Sequence, residues 1–409
     1  MIDQAQLEGL HRRGRKFRGL LLKLKDQTGR TNKVLRQELE LLQAQINAAS
    51  KLIPAMPADE KKKTIARLKP ISDQIATLKA QLANQDEIKL PNIPQPDVPD
   101  GEDESANIVE REVGKKPKLK NPKDYLALTE PSALVDLKRG AKVSGSRFGY
   151  LTGVLAQMQF ALIQYAQSVI LNKGFTMVVP PVMVTEDNMA AMGYLAGGGE
   201  NDVYHLEKDK LYLVGTAEQS IGPMHRDEVF TEAELPKRYL AFSSCFRREA
   251  GSYGQDTKGI FRVHQFDKLE MFSFTLPEAS DHEHELLLRI QEELMQGLKL
   301  PYRVVKLCAG DLGWPSARTW DIETWLPSQG AYRETHSTST TTDYQSRALN
   351  IKVKRSSGEK EHVHLLNGTA FAIGRTLIAI LENYQQSDGT VTIPPVLQPF
   401  LNGLAAIGR

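Results

Sequence analysis

The stretch FRREAGSYGQDTKGIFRVHQFDKLE, residues 246–270, joins two runs in which apolar and polar residues alternate. Its middle, AGSYGQDTKG, is rich in glycine and polar residues. The pattern predicts antiparallel strands over residues 239–248 and 260–274. Because residues two apart lie on one face of a strand, the second strand presents a mixed polar and aromatic face. The residues of that face are Arg262, His264, Phe266, Lys268 and Glu270.

Arg247 and Glu249 share one face of the first predicted strand. An arginine can bind a phosphate through two parallel hydrogen bonds. An aromatic ring such as Phe266 can stack on a base, and a carboxylate can accept a hydrogen bond from an exocyclic amine. The strand pair therefore suits a nucleotide, although these residues alone are equally consistent with an exposed sheet face held by salt bridges.

Three further stretches carry polar groups of the kinds that a nucleotide and an amino acid require. In LVGTAEQS, Thr216 and Glu218 project from one face of a strand or its end, where they either hold an ammonium group or form a surface pair. In YRETHSTSTTTDYQ, Glu334 and Ser337 offer hard oxygens of the kind that Mg²⁺ takes alongside phosphates, or they belong to a polar sheet edge. In TAFAIGRTLIAILENYQ, a predicted helix, the partner of Arg375 is either a triphosphate or a core carboxylate.

Composition narrows the class of protein. The chain has 409 residues, of which 41% are hydrophobic, and its formal net charge is +2. This length and hydrophobic fraction are enough for a large core and more than one domain. Its two cysteines, Cys245 and Cys308, predict neither a disulfide framework nor a zinc site and suit a reducing compartment. No apolar run approaches about 20 residues and the start does not resemble a signal peptide, so we expect a soluble cytoplasmic protein with no membrane span. The absence of GxxxxGK[ST], GxGxxG and HExxH patterns argues against a phosphate loop, a dinucleotide fold and a zinc protease.

The first 90 residues have a helical pattern. Residues 5–53 lack an interior proline and carry apolar or small residues at heptad spacing, which predicts one long helix that ends at Pro54. A second stripe predicts a helix that pairs antiparallel with the first as a coiled-coil hairpin and is kinked or split at Pro70. The heptad series includes Leu21, Thr28, Leu35, Leu42 and Ala49. The second stripe consists of Ile65, Leu68, Ile71, Ile75, Leu78 and Leu82.

The remaining chain divides into a linker and a globular part. Residues 91–108 begin with the proline-rich, acidic PNIPQPDVPDGEDES, which predicts a linker. Residues 109–409 show runs of strands with flanking helices rather than strict βαβ alternation. We therefore predict an α+β fold: a helical arm over residues 1–90, and a C-terminal antiparallel β-sheet domain flanked by helices.

The helical arm is strongly basic near its start. Residues 7–36 contain ten lysines and arginines against only two acids, Glu8 and Asp26. Such a concentration of positive charge indicates a polyanionic partner, with a solvated helix face as the alternative.

Taken together, these stretches closely resemble the seryl-tRNA synthetase family of class II aminoacyl-tRNA synthetases. FRREAGSYGQDTKGIFRVHQFDKLE resembles motif 2 of the class, GFTMVVPP resembles motif 1, and LNGTAFAIGRTLIAILENYQ resembles motif 3. GTAEQ is similar to the TxE loop of the family, and the basic hairpin and the linker fit as well. The resemblance covers nearly the whole chain and implies a homodimer with a class II catalytic domain. It implies a ligase that forms seryl-adenylate from L-serine and ATP with Mg²⁺, without zinc, and then charges serine tRNA.

The resemblance also implies roles for individual residues. Arg247 would bind the α-phosphate and the serine carboxylate, and Arg375 would face the γ-phosphate. Glu249 would contact the adenine and Phe266 would stack on it. The serine pocket would consist of Thr216, Glu218, Arg247, Glu270 and Thr369. Glu334 and Ser337 would hold Mg²⁺ with ATP. The tRNA-binding residues of the arm would be Arg12, Arg13, Arg15, Lys16, Arg18, Lys23, Lys25, Arg30 and Lys33.

Two other functions are alternatives to this one, and a feature of the sequence disfavours each. A ligase that charges a carrier protein would be expected to lack the long arm, which this chain has. A non-catalytic relative would be expected to lose one of Arg247, Glu249, Glu270 and Arg375, and all four are present.

Overall fold

The computed structural model describes residues 4–14, 17, 19, 31–53, 56–83, 90–250, 256 and 258–408. The chain forms two compact units, residues 1–90 and 91–409. The helices of the described residues are α1 Gln4–Arg12, α2 Thr31–Leu52, α3 Ala58–Ala83, α4 Tyr125–Thr129, α5 Leu137–Ser144, α6 Gly153–Ile170, α7 Glu186–Ala191, α8 Glu218–Ile221, α9 Ser280–Gly297, α10 Tyr344–Leu349 and α11 Ile373–Asn383. The strands are β1 Ile108–Val113, β2 Val135–Asp136, β3 Tyr150–Leu151, β4 Phe175–Val178, β5 Met183–Thr185, β6 Tyr204–Leu206, β7 Leu211–Leu213, β8 Val229–Thr231, β9 Lys237–Phe246, β10 Gln265–Thr275, β11 Tyr302–Lys306, β12 Arg318–Leu326, β13 Ala331–Thr340, β14 Lys352–Lys354, β15 Lys360–His362, β16 His364–Ala372, β17 Val391–Thr392 and β18 Ala406–Ile407.

The first unit is helical, but the single helix predicted over residues 5–53 is wrong. Helix α1 ends at Arg12, and Gly14 adopts φ +81°, a left-handed conformation that glycine reaches without steric cost and that stops a helix. Sequence periodicity alone did not register this break, because no proline marks it.

Helices α2 and α3 contact each other and run antiparallel. They are joined by a short connection, and the Gln74 side-chain amide donates to Glu38 Oε1 at 3.3 Å between the two helices. From the predicted stripe, Ile75 and Leu78 are buried, whereas Ile65 is 52% exposed and does not belong to the contact face. Two members of the predicted heptad series, Leu21 and Thr28, lie outside the described residues.

Helix α3 continues through Pro70 and is not split there. Proline removes one backbone N–H and leaves a carbonyl of the preceding turn without its helical donor. Pro70 lies on the exposed side of the helix, where water can satisfy that carbonyl, so the helix survives.

The second unit is built on an eight-stranded sheet in the order β1-β11-β12-β13-β16-β10-β9-β4. All neighbours pair antiparallel except β4, which runs parallel to β9 at one edge. Strand β4 is followed by Pro180 and Pro181, and its edge position suits them, because proline cannot donate to a sheet ladder. The antiparallel α+β architecture predicted from the sequence is confirmed.

The predicted helix over TAFAIGRTLIAILENYQ begins too early. Residues His364–Ala372 form strand β16, and the helix α11 starts only at Ile373. Phe371 and Thr369 pair with Leu269 and Glu270 of β10. Pairing with a strand about 100 residues away in the chain overrides the local preference of an alanine-containing segment.

The main core of the second unit lies between the sheet and helices α6, α9 and α11. Helix α6 is buried along one side, at Leu155, Met158 and Leu162 among others. By length and composition alone, Gly153–Lys173 would be long and apolar enough to cross a membrane, which corrects the expectation that no such run exists. Part of its apolar surface forms this core.

The segment predicted as a linker, residues 91–108, packs into the second unit. The Asn92 side-chain amide donates to the carbonyl oxygens of Pro315 and Thr341 at 2.9 and 2.7 Å. Val98 is buried in a small apolar cluster with Leu307. The prolines here therefore shape an extended segment that is fixed by packing.

Candidate active site

The ten residues to which the sequence assigned substrate contacts line one cleft in the second unit. The cleft measures about 990 Å³ out to its open mouth. Strands β10, β13 and β16, the residues just beyond the end of β9 and the start of α11 contribute its walls. The ten residues are Thr216, Glu218, Arg247, Glu249, Phe266, Glu270, Glu334, Ser337, Thr369 and Arg375.

Arg247 and Glu249 reach the cleft from just beyond the end of β9 rather than from the strand itself. The backbone N–H of Arg247 donates to His264 O at 3.0 Å, which continues the pairing for one residue. Its side-chain Nε donates to Gly215 O at 3.2 Å. Glu249 has φ +54°, so the chain turns sharply there, and the Glu249 carboxylate accepts from Arg262 at 2.7 Å. The predicted common strand face is replaced by a turn that still points both side chains into the cleft.

Strand β10 places Phe266, Lys268 and Glu270 on the cleft side, as the period-two pattern predicted. The strand begins at Gln265 rather than at residue 260. His264 is therefore not on this face, and its ring lies 5.4 Å from that of Phe148 instead. The Arg247 guanidinium lies 5.3 Å from the Phe266 ring centre, which sets a cation beside the ring expected to stack on the base.

One end of the cleft is a buried polar pocket. Lys268 and Glu270 form an ion pair at 2.5 Å, and the Thr369 hydroxyl donates to Glu270 at 3.3 Å. Glu270 is 1% exposed, so its charge depends on these partners. The sequence placed Lys268 on the same strand face as Glu270 but assigned it no role in the site.

Thr216 and Glu218 complete this pocket. Glu218 begins the short helix α8, and Thr216 lies two residues before it, beyond the end of β7. The Thr216 hydroxyl is buried and has no hydrogen-bond partner among the described residues, which leaves it available to a bound molecule. The Glu218 carboxylate accepts a hydrogen bond from the Tyr194 hydroxyl. The sequence gave no signal for Tyr194, because it lies 24 residues away in a loop.

The electrostatics of this end are set by two carboxylates in one enclosed space. Burial, and next the charge of Glu270, raise the pKa of Glu218 to about 7, while Lys268, Tyr194 and Arg247 oppose the rise. Burial and the Glu218 charge raise the pKa of Tyr194 well above its usual value, so Tyr194 stays protonated and donates. The pocket can thus hold a small molecule that brings its own cation.

The other end of the cleft is cationic and open. The Arg375 guanidinium donates to Glu334 Oε2 at 3.0 Å and lies 4.7 Å from the Phe261 ring centre. The Glu334 side chain is 49% exposed. Burial acts to raise the pKa of Glu334, but the Arg375 guanidinium outweighs it and holds that pKa below its usual value. A carboxylate that is ionised and reachable from solvent can bind a cation.

A β-bulge brings Glu334 and Ser337 to the same side of the sheet. Residues three apart in a regular strand lie on opposite faces. The register of β13 against β12 shifts between Ile322 and Glu323, so that Glu323 pairs with Glu334 while Asp321 pairs with Ser337. The extra residue restores a common face, which is a frequent use of bulges near active sites.

These oxygen donors fit a magnesium ion. Glu334 supplies an ionised carboxylate and Ser337 a hydroxyl, and Mg²⁺ prefers such hard oxygens together with substrate phosphates. Across from Ser337, one carboxylate oxygen of Asp321 is buried without a hydrogen-bond partner among the described residues. The sequence did not single out Asp321, because only the pairing of β12 with β13 brings it here.

The basic residues predicted to contact tRNA are only partly covered by the structure. Arg12 ends helix α1 and is partly exposed. Arg13 is fully buried, with its guanidinium 5.7 Å from the Phe17 ring, and does not offer a surface charge. Of Lys33 only the helical backbone is described. The remaining ones lie outside the described residues: Arg15, Lys16, Arg18, Lys23, Lys25 and Arg30.

The known proteins that this chain resembles in sequence and in structure have the same kind of name. The chain is 42% identical over 377 residues to the "Serine--tRNA ligase" of Dictyoglomus turgidum, which covers 90% of this chain and 88% of the relative. It is 44% identical over 372 residues to that of Streptomyces coelicolor, covering 88% and 87%. Among solved structures, seryl-tRNA synthetase from Pyrococcus horikoshii complexed with ATP aligns with a TM-score of 0.86 at 36% identity, over 100% of this chain and 99% of that one.

Residues 203–384 match the family described as tRNA synthetase class II core domain (G, H, P, S and T). The antiparallel sheet and the cleft on it are thus those of a class II aminoacyl-tRNA synthetase. Prolyl-tRNA synthetase from Giardia lamblia, 17% identical with a TM-score of 0.60, shares this fold. Given relatives above 40% identity along most of its length, the chain belongs to the seryl-tRNA synthetase family.

Proposed function

We propose that this chain activates L-serine with ATP and transfers the seryl group to the 3′ end of serine tRNA. The observation that carries the proposal is the buried pocket of Thr216, Glu218 and Glu270, which opens beside the Arg247 guanidinium in one cleft. The pocket is buried and lined by polar groups, which suits a small hydroxylated amino acid. The cationic end of the same cleft has the charge for a triphosphate.

In the first step, the serine carboxylate attacks the α-phosphorus of ATP. A bond forms between a carboxylate oxygen and that phosphorus, the bond from the α-phosphorus to the bridging oxygen breaks, and pyrophosphate leaves. No proton is removed from the nucleophile, so no enzymatic base is required. Catalysis therefore consists of positioning and of neutralising the negative charge, with Arg247 at the α-phosphate and serine carboxylate and Arg375 at the γ-phosphate.

Residues of the open end would hold the nucleotide. Phe266 would stack on the adenine, and Glu249 would accept a hydrogen bond from its amine. Glu334 and Ser337 would hold Mg²⁺, which supplies positive charge to the phosphates when it is bound. Because Arg375 already donates to Glu334, the guanidinium and the carboxylate keep each other in place while ATP enters.

Selection of serine follows from burial. Glu218 and the Thr216 hydroxyl would bind the ammonium group, and Glu270 and Thr369 would bind the side-chain hydroxyl. If alanine entered, these buried groups would lose a partner, and such sites reject analogues that lack the hydroxyl strongly. Threonine is excluded by shape instead.

In the second step, a hydroxyl of the terminal ribose of the tRNA attacks the seryl carbonyl carbon and AMP leaves. The basic residues of the N-terminal arm would bind the body of the tRNA by neutralising phosphates. We extend this role to the eight predicted residues other than Arg13, which is enclosed. We further propose a homodimer, in the cytoplasm and without a membrane span, in line with the family.

The test is serine-dependent exchange of pyrophosphate into ATP, followed by charging of serine tRNA. We expect exchange with L-serine and at most weak exchange with alanine or threonine. Substitution of Lys23, Lys25 and Arg30 by glutamine should leave exchange intact and weaken charging. A folded sample that exchanges no pyrophosphate in the presence of serine would contradict the proposed activity.

A further inference from the structure

A second concentration of positive charge lies in the second unit, outside the helical arm. Between β1 and α4 the chain reads GKKPKLKNPK, residues 114–123, in which five of ten residues are lysine and none is acidic. The segment forms neither helix nor strand. All five lysines are exposed, and none of them has a role in the activity derived above.

These charges are largely uncompensated. Within the described part of the chain, only Lys116 of the five has a carboxylate within 4.0 Å, that of Glu112. The next acid along the chain, Asp124, caps helix α4 by accepting from the Ala127 N–H at 2.8 Å. Ordinary protein surfaces intersperse charges of both signs, whereas an acid-free run raises a positive potential that attracts polyanions.

The first half of the segment is fixed against the sheet that carries the cleft. The Lys116 ammonium lies 4.2 Å from the Trp325 ring centre and 4.5 Å from that of Tyr332. Trp325 and Tyr332 pair across β12 and β13, the strands that also carry Asp321 and Glu334. Lys116 is therefore an anchor, and it packs against Tyr332, two residues before Glu334, which lines the cleft.

The C-terminal end of the segment is held by hydrogen bonds of Lys123 and of the nearby Tyr125. The backbone N–H of Lys123 donates to Gln385 at 2.9 Å. Two residues later, the Tyr125 hydroxyl accepts from the backbone N–H of Ile260 at 2.6 Å. Ile260 lines the cleft, so a residue that follows the segment by two positions contacts the cleft wall.

We propose that Lys115, Lys118, Lys120 and Lys123 form an RNA-contacting surface that binds phosphates of the tRNA acceptor arm as its 3′ end enters the cleft. The proposal rests on the proposed function, since it assigns the surface to the same tRNA. Residues 115–123 can span roughly 25 Å when extended, which matches several successive phosphates rather than one small anion. A protein partner is disfavoured, because the segment exposes no aromatic or large apolar residue of the kind that anchors protein interfaces.

The decisive variant replaces these four lysines with glutamine in the full-length chain. Two RNAs are used: a transcript of serine tRNA, and a short hairpin that carries only its acceptor stem and CCA end. We expect hairpin affinity to fall about tenfold or more, and the slope of log affinity against log salt to decrease by roughly 2–4, because each phosphate contact contributes nearly one to that slope. Serine-dependent pyrophosphate exchange should stay within about twofold of wild type, since no lysine of the segment lines the cleft.

A matched control removes four charges at Lys208, Lys210, Lys354 and Lys360, which are also exposed. Equal loss of hairpin affinity in this control would overturn the proposal, because the lower net charge alone would then explain the loss. Unchanged hairpin binding in the decisive variant would overturn it too, as would a parallel loss of pyrophosphate exchange. A wild-type enzyme without serine-dependent exchange would contradict the proposed function, while the hairpin measurement would still decide the RNA surface.

Discussion

The two ends of the cleft differ in how their charges are held. At the serine end, Glu218 and Glu270 are 4% and 1% exposed and each has a partner in the protein. At the open end, where the phosphates would bind, Glu334 is about half exposed, and the Arg375 guanidinium lies against the Phe261 ring. The closed end is suited to discrimination, because a wrong ligand leaves buried groups unpaired. The open end is suited to a large anion whose own charge and metal ion complete the site.

Arg247 lies between the two ends, so its loss should have the largest effect. We expect Arg247→Ala to reduce pyrophosphate exchange by about 10³-fold, because a preorganised cation is removed from both the phosphate and the serine carboxylate. The measurement is kcat/KM for exchange at saturating Mg²⁺. The control is Arg248→Ala, since Arg248 is exposed and adjacent but does not line the cleft. Similar losses in both variants would contradict a special role for Arg247.

The second largest effect is expected for Glu270→Gln. It should lower kcat/KM for serine by about 10²-fold with little change in the KM for ATP. This substitution keeps the shape of the side chain but leaves the buried Lys268 ammonium without its counter-charge. The free energy of unfolding should therefore fall by about 3–5 kcal/mol. Denaturant titration measures the free energy of unfolding, and the kinetics of pyrophosphate exchange measure the specificity for serine. Glu278→Gln, which breaks an exposed pair with Arg355, should cost less than about 1 kcal/mol. An equal change in both KM values would mean that the two ends are not separable.

The pH dependence of serine binding should expose the raised pKa of Glu218. In the proposed complex, ionised Glu218 would face the ammonium of serine. Burial and Glu270 raise the pKa of Glu218 to about 7, while Lys268, Tyr194 and Arg247 oppose the rise. As pH falls through 7, the carboxylate is protonated and serine binding is lost, so kcat/KM for serine should drop about tenfold from pH 8 to pH 6. In Glu218→Gln this limb should disappear. A flat wild-type profile would show that Glu218 stays ionised throughout.

Tyr194→Phe removes the hydrogen bond from the Tyr194 hydroxyl to the Glu218 carboxylate and keeps the aromatic ring. We expect the KM for serine to rise about three- to tenfold, because the Tyr194 hydroxyl both orients and stabilises ionised Glu218. The acid limb of the serine profile should move to higher pH, since the hydroxyl opposes the rise of the Glu218 pKa. A purely structural role would lower stability without moving this limb.

The smallest effect is expected at the open end. Ser337→Ala should raise the Mg²⁺ concentration required for half-maximal exchange by about two- to threefold, because phosphates and Glu334 still provide oxygen ligands. The KM for serine should stay unchanged. If Ser337→Ala affected serine more than Mg²⁺, the division of the cleft into two ends would be wrong.

The sequence predicted the residues of the cleft better than the elements that carry them. Phe266, Lys268 and Glu270 follow a local period of two, which any strand pairing preserves. By contrast, Thr369 was predicted in a helix and lies in strand β16, and Glu218 was predicted on a strand or at its end and starts a helix. Short segments of mixed propensity take the conformation that their distant partners stabilise.

Residue type, order and spacing were enough to indicate the family through its motifs, and the ten side chains that the resemblance implied for the site line one cleft. Only the folded chain decided that Glu334 and Ser337 point the same way, since this depends on a bulge in the pairing of β13 with β12. It alone also brought Tyr194 to Glu218 and Asp321 to Ser337. Such contacts join residues far apart in sequence, and their geometry is fixed by long-range packing that no local pattern encodes.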